Sequence, residues 1–336
     1  MPARYSRQVL FPPIGEAGQA RLEGASVVIL GCGALGTQQA NLLARAGVGR
    51  LRIIDRDYVE ESNLQRQALF DESDAARRLP KAVAAEQRLK QINSGVAIEG
   101  IVEDLEARNA ERLLAGFGLI LDGADNFETR FLLNDAAVKL NIPWIYGAVV
   151  ASYGVTLTIL PGRTACLSCF LPEAPAGLQE TCDTAGVIAP AASWVAAIQT
   201  TEALKVLLGR CNELHGRLLS YDVWKNRLRE VTPRRDPACR TCGMRQFVYL
   251  DAERSAHVTL CGRGAVQIRG RGSQRLDLDA LRNRLAPLGP VRGNGYLVQF
   301  RVEGCEITVF ADGRAIIKGT EDPVSARSLY ARYVGA

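Results

Sequence analysis

Four cysteines and one glycine-rich loop carry the chemistry that can be read first. Cys166 and Cys169 form "CLSC", and Cys239 and Cys242 form "CRTC". Two C-x-x-C knuckles supply the four thiolates of a tetrahedral zinc site. Four thiolates leave no open coordination position, so the role is structural. The knuckles lie far apart in the chain, so the ion would staple distant segments of one fold. The loop Gly31-Cys32-Gly33-Ala34-Leu35-Gly36 lets backbone N–H groups approach phosphates at a helix N-terminus. Asp55 closes the following strand, where a carboxylate can hold ribose hydroxyls. Cys32 fills a variable slot of the loop and reads as a small packing residue.

The next stretch, "DYVEESNLQRQALF" (57–70), narrows the ligand. It begins with Asp57 and packs Asn63, Gln65, Arg66 and Gln67 closely together. Arg66 and Lys81 both follow the second strand. Two cations beside a phosphate loop suit a triphosphate better than a pyrophosphate diester. "LDGADN" then places Asp122, Asp125 and Asn126 at the C-terminal end of a strand, the edge where doubly wound sheets bind ligands. A carboxylate there is a natural Mg²⁺ ligand, with phosphates supplying further oxygens. The competing reading of Asp125 is an N-cap for the helix "NFETRF". His215 and His257 have no motif around them, so the chemistry does not rest on imidazole.

These residues need a scaffold, and the chain supplies an alternation. "ASVVILG", "RLRIID", "VAIEGIV" and "GLILDGAD" read as strands; "LGTQQANLLARAGV", "KAVAAEQRLKQIN", "EARNAERLLAGF" and "NFETRFLLNDAAVKLN" read as the helices between them. This predicts a Rossmann-like α/β fold with a doubly wound, mostly parallel sheet covered on both faces. "IPWIYGAVV" and "GVTLTILP" follow as strands, and "RLLSYDVWKNRLREV" as a hairpin, so the sheet continues as a mixed one. "ASWVAAIQTTEALKVLLG" is a long apolar helix, expected to be buried on most sides or at a dimer interface. A fresh pattern starts near 250. The expected organisation is a domain over 1–248 and a small α+β domain over 249–336, with hairpins around Asp312-Gly313 and two amphipathic helices.

Composition sets the outer limits. The chain has 336 residues, 47% hydrophobic and 23% charged, which is globular. A net charge of +5 with acids and bases interspersed does not point to nucleic acid. No apolar run approaches a membrane span and "MPARYSRQVL" is no signal peptide, so the chain reads as cytoplasmic. Nine cysteines there favour metal or thiol chemistry over disulfides.

Residues 4 to about 245 resemble the ThiF/MoeB/HesA family, prokaryotic relatives of ubiquitin-activating E1 enzymes. "RYSRQ", "GCGALG", "DRDYVEESNLQRQ", "LPKAVAA", "DGADN", "CLSC", "TCDTAGV" and "CRTC" occur in family order. The resemblance implies adenylation of the C-terminal glycine carboxylate of a small ubiquitin-fold sulfur-carrier protein ending in Gly-Gly, with ATP and Mg²⁺ consumed and pyrophosphate released. It implies that Gly33, Asp55, Asp57, Asn63, Arg66, Lys81, Asp125 and Asn126 bind ATP and magnesium, with Gly31, Gly36 and Gln67 completing the set. It further implies a homodimer in which Arg7 reaches the partner's phosphates, and a sulfur donor or acceptor enzyme as a further partner. Cys182, after "PEAPAGLQE", has two readings: a nucleophile that takes the carrier as a thioester or acyl persulfide, or an inert loop thiol.

Two other classes stay in view. An NAD-dependent oxidoreductase leaves Arg66, Lys81, Asp125 and the cysteine knuckles unexplained. A catalytically inactive E1-like scaffold is at odds with the intact Arg, Lys and Asp set. Residues past about 250 fall outside the resemblance. Some relatives carry a rhodanese domain there, but Cys261 comes too early to be its persulfide cysteine. Cys211, Cys261 and Cys305 read as core or surface thiols.

Overall fold

A computed structural model of the chain describes residues 3–173, 185–251, 257–260, 264–268 and 275–335. Two compact units emerge: Met1–Ala76 with Pro80–Ala252, and Arg77–Leu79 with Glu253–Ala336. Cys182 and Cys261 lie outside the described residues.

The first unit begins with α1 (Gly15–Glu23), β1 (Ser26–Leu30), α2 (Ala34–Ala46) and β2 (Arg50–Ile54). There follow α3 (Glu72–Arg77), α4 (Lys81–Ile92), β3 (Ala97–Ile101), α5 (Ala107–Leu114), β4 (Leu119–Asp122), α6 (Phe127–Leu140) and β5 (Trp144–Val150). The unit closes with β6 (Tyr153–Ile159), α7 (Leu167–Phe170), α8 (Ala189–Leu207), β7 (Leu218–Asp222), β8 (Arg227–Val231) and α9 (Val248–Asp251). Its eight strands run β3-β2-β1-β4-β5-β6-β7-β8. The pairs from β3 through β5 are parallel and those from β5 to β8 antiparallel. This is the expected doubly wound sheet continuing into a mixed one. The parallel strands are apolar runs because both faces are covered: Val27 to Leu30 and Leu119 to Leu121 are all buried.

Strand order reverses between β1 and β4, so the crevice at their C-terminal ends is where such a sheet takes a ligand. Two glycines let the chain turn there. Gly31 has φ +86, and a Cβ on it would lie 2.4 Å from Gly123 O. A Cβ on Gly36 would lie 1.8 Å from Gly31 O. Strand, loop and helix can close on each other only with glycine at both places.

One face of the sheet holds a core of Val28, Ile120, Phe131, Leu132, Trp144, Leu157 and Ile159, continuous with Cys166, Cys239 and Cys242. On the other face α8 packs on α2, β5 and β6. Its buried side is built from small and polar residues as well as apolar ones: Ala192, Val195, Ala196, Gln199, Thr200 and Glu202. Gln39 on α2 donates to Gln199 Oε1 (2.6 Å), and both amides donate to Asp122 O (3.0 Å each). No described helix is long and apolar enough to cross a membrane.

The second unit contains β9 (His257–Leu260), β10 (Ala265–Ile268), α10 (Leu278–Leu285), β11 (Val291–Gly293), β12 (Leu297–Val302), β13 (Cys305–Phe310), β14 (Ala315–Lys318) and α11 (Pro323–Tyr333). Its antiparallel sheet has the order β11-β12-β13-β14-β10-β9. Alternation puts Val298, Phe300, Ile307, Val309 and Ile317 into one core with Leu281, Leu285, Ala326 and Leu329 of the helices. Asp312-Gly313 turns β13 into β14 as expected, with Gly313 at φ 80. Asn294 Nδ2 donates to the carbonyls of Arg77 (2.8 Å) and Arg78 (2.9 Å), which ties that distant segment to this unit.

Candidate active site and metal centre

The glycine loop ends at Gly33, the N-cap of α2, which makes no side-chain cap bond. The first N–H groups of α2 are therefore left for an incoming acceptor, and the helix dipole favours a negative one. Above Gly33 there is room: the nearest atom to a Cβ built there is Gln67 Nε2 at 3.9 Å. Gln67 itself is buried, and its Oε1 has no hydrogen-bond partner among the described residues.

Asp55 is buried beside this loop. Its Oδ2 accepts from Cys32 N (2.6 Å) and its Oδ1 from Asp57 N (2.7 Å), so it fixes the loop and the turn after β2 as well as facing the crevice. Burial pushes its carboxyl above the usual carboxylate range, against the opposing pull of Lys81. Burial also pushes the Cys32 thiol well up, as befits a packing residue. Lys81 starts α4, is only 4% exposed, and points its Nζ at Asp57 Oδ2, 3.6 Å away.

The loop after β4 carries the third group of site residues. Asn126, not Asp125, is the N-cap of α6: its Oδ1 accepts from Thr129 N at 2.8 Å. This corrects the capping alternative for Asp125. The Asn126 amide also donates to Asp125 Oδ1 (2.9 Å), which aims the carboxylate while its side chain stays 58% exposed. Asp122 is fully buried and accepts from Ala124 N (2.9 Å), Arg130 Nε (3.2 Å) and Gly147 N (3.3 Å). Arg130 in turn donates to Ala124 O (2.6 Å). The Asp122–Arg130 pair thus clamps the loop bearing Asp125 to β5.

Other expected residues are placed differently. Asn63 is buried, but its Oδ1 accepts from Glu60 N (3.1 Å) in a capping box. Arg66 lies on the turn that follows and donates to Ser62 O (2.8 Å). Arg7 is exposed on the N-terminal turn. That turn is anchored by Tyr5, whose hydroxyl accepts from Asn93 Nδ2 (2.9 Å), and by Gln8, which donates to Ala46 O (2.9 Å) at the C-terminal end of α2. Arg56 was not among the expected site residues, although it lies inside the motif "DRDYVEESNLQRQ". Its guanidinium sits 3.1 Å from Asp104, 3.8 Å from Asp125 and 4.0 Å from Asp57.

The four expected cysteines converge. Their sulfurs all lie within 4.8 Å of one another. Cys166–Cys169 measures 3.8 Å, Cys166–Cys239 3.6 Å and Cys169–Cys242 3.4 Å. A tetrahedron of Zn–S bonds of about 2.3 Å has edges of about 3.8 Å, so the set fits that ion. Without a cation, burial and the neighbouring thiols push Cys166 far up, and burial pushes Cys242 to about 11. Helix α6 holds both knuckles. Asn134 Oδ1 accepts from Leu167 N (3.0 Å), and Asp135 Oδ1 accepts from Thr241 Oγ1 (3.0 Å). Such outer partners orient the sulfurs. The polar pair Asn134-Asp135 between the apolar runs Phe131–Leu133 and Ala136–Val138 of α6 was the available signal.

Fold and site together define a nucleotide-binding type of α/β protein with a closed four-cysteine centre. The chain belongs to the ThiF family, which it matches over residues 5–241. It is 49% identical over 339 residues, spanning all of both chains, to the sulfur carrier protein ThiS adenylyltransferase of Bacillus subtilis (strain 168). It is 40% identical over 246 residues to the sulfur carrier protein adenylyltransferase of Thermus thermophilus, covering 71% of this chain and 90% of that one. Among solved structures, Escherichia coli MccB with MccA-N7isoASN superposes with a TM-score of 0.64 at 24% identity, over 72% of this chain and 76% of that chain, and shares the fold.

Proposed function

We propose that the chain is an E1-like adenylyltransferase that uses ATP to adenylate the C-terminal glycine carboxylate of a small ubiquitin-fold sulfur-carrier protein. The observation that carries this reading is the crevice at the β1/β4 reversal. There an uncapped helix N-terminus with open room above Gly33 lies beside Asp55, which interacts with Lys81 and Asp57, while Asp125 follows the neighbouring strand β4. The full-length similarity to a sulfur-carrier adenylyltransferase supports it.

In this mechanism a carboxylate oxygen of the carrier attacks the α-phosphorus of ATP. The bond from that phosphorus to the bridging oxygen breaks, pyrophosphate leaves, and an acyl adenylate remains. A carboxylate is already ionised at neutral pH, so no general base is required. The N–H groups of α2 receive the phosphates, and Asp55 holds the ribose with its remaining lone pairs. Lys81 and Arg66 supply positive charge where it builds on the phosphates. Gln67 completes the wall of the site with an amide oxygen that has no hydrogen-bond partner among the described residues. Asp125 is an accessible oxygen ligand at the strand edge, which fits Mg²⁺; Asn126 aims it. The ion, when bound, neutralises phosphate charge and orients the leaving group. Zn²⁺ in the Cys166, Cys169, Cys239 and Cys242 site is structural.

The homodimer is part of the proposal. Helix α2 has 13 residues, or about 20 Å at 1.5 Å per residue, between the glycine loop and the end where the Arg7 turn is anchored. On this reading Arg7 serves a neighbouring subunit's site and not its own, which that separation supports. Two inactive variants, Arg7→Ala and Asp125→Ala, test this by mixing. Exchange of subunits should restore about a quarter of wild-type activity, since half of the dimers are hybrid and each has one complete site. No recovery on mixing would refute the trans role.

The chemistry is assigned to 1–248, and 249–336 are an accessory domain. The match to the Thermus relative uses 90% of that protein but only 71% of this chain, which supports the division. The test of the function is carrier-dependent exchange of labelled pyrophosphate into ATP. In the same assay Cys182→Ser should exchange at the wild-type rate, because adenylation precedes any thiol step. If Cys182 is a nucleophile, the variant loses the reductant-sensitive carrier adduct; unchanged sulfur transfer would leave it an inert thiol.

A further inference from the structure

Arg56 plays no part in the scheme above, yet it occupies the centre of the site's carboxylates. It follows β2, Asp104 follows β3 and Asp125 follows β4, so its guanidinium joins three loops along the ligand-binding edge of the sheet. Its contacts with Asp104 and Asp125 differ in kind. Asp104 is the anchor: Nη1 lies 3.1 and 3.3 Å from its two carboxylate oxygens, and both side chains are largely buried. The link from Nη2 to Asp125 Oδ1 is 3.8 Å long and involves the most exposed carboxylate of the group. Of the two, the Asp125 link is the one that can yield without cost to the anchor.

We propose that Arg56 is the resident counter-cation of Asp125, so that a divalent ion gains this carboxylate only by replacing the guanidinium, and enters with the nucleotide instead of alone. This rests on the reading of Asp125 as the metal ligand. Two cations cannot both sit against one carboxylate at full strength, because they repel each other as each is attracted. A free divalent ion must displace Arg56 unaided. An ion carried by a polyphosphate brings anionic oxygens that Nη2 of Arg56, still tethered on Asp104, can face in place of Asp125. Loading is thereby coupled to nucleotide, and the empty site is kept from collecting ions that would obstruct it.

The probe is Mn²⁺ binding to the full-length, nucleotide-free protein, followed by the loss of the free ion's electron paramagnetic resonance signal. Wild type should bind weakly. Arg56→Gln and Arg56→Met, made together so that the outcome does not depend on one variant folding, should bind about tenfold more tightly. Arg56→Lys should stay near wild type. The gain should vanish when Asp125→Ala is added. Unchanged or weaker binding in the uncharged variants would overturn the proposal, and so would a gain that survives Asp125→Ala. Neither result touches carrier-dependent exchange by the wild-type protein, whose absence would instead refute the function on which this inference rests.

Discussion

Asp125→Ala should reduce carrier-dependent pyrophosphate exchange by roughly a thousandfold, to the floor of the assay. The residue is placed for this effect by its neighbours. Asn126 caps α6 and holds Asp125 by its amide, while the buried Asp122–Arg130 pair fixes the loop against β5. The carboxylate itself remains accessible at the crevice. On the proposed reading, removing it strips a ligand from the metal that would carry phosphate charge. The fold should be indifferent: an exposed side chain whose partner Arg56 keeps Asp104 costs within about 0.5 kcal/mol. Denaturant midpoints of variant and wild type should therefore coincide while activities differ. A variant that retains more than a tenth of wild-type exchange would remove Asp125 from the metal site.

The second large effect concerns the cysteines. One tightly bound zinc per chain is expected by elemental analysis. Cys166→Ala or Cys242→Ala should release it and lower the thermal midpoint by about 10 °C or more, since binding energy at such a site is folding energy. Cys166 belongs to the same buried core as Phe131 and Trp144, so loss of the ion also opens that core. Asn134 and Asp135 on α6 lose their purpose at the same time, because the backbone and hydroxyl groups they bind belong to the two knuckles. An iron–sulfur absorption spectrum, or a midpoint unmoved by the substitution, would contradict the assignment.

Much of this architecture was legible because the physical causes are local. A strand covered on both faces must be a short apolar run, and "VVIL" and "LIL" are such runs. A glycine loop between strand and helix announces itself, and knuckles of paired cysteines need no three-dimensional information to be recognised. The elements that were not legible depend on who meets whom. Whether Asp125 or Asn126 caps α6 turns on one residue of backbone geometry. Arg56 reads as one more surface charge until three carboxylates from separate loops are seen around it. Gln39 and Gln199 look unremarkable in two helices, yet together they satisfy the carbonyl of Asp122. Nothing in the pattern around Arg77–Leu79 signals that this segment clusters with the second unit.

The most direct measurement is exchange of labelled pyrophosphate into ATP by the purified chain, with and without a small ubiquitin-fold protein ending in Gly-Gly. The account predicts exchange that requires the carrier, requires a divalent ion, and disappears when the terminal glycine of the carrier is removed. Exchange that proceeds equally without any carrier, or none with any carrier from the same organism, would contradict it.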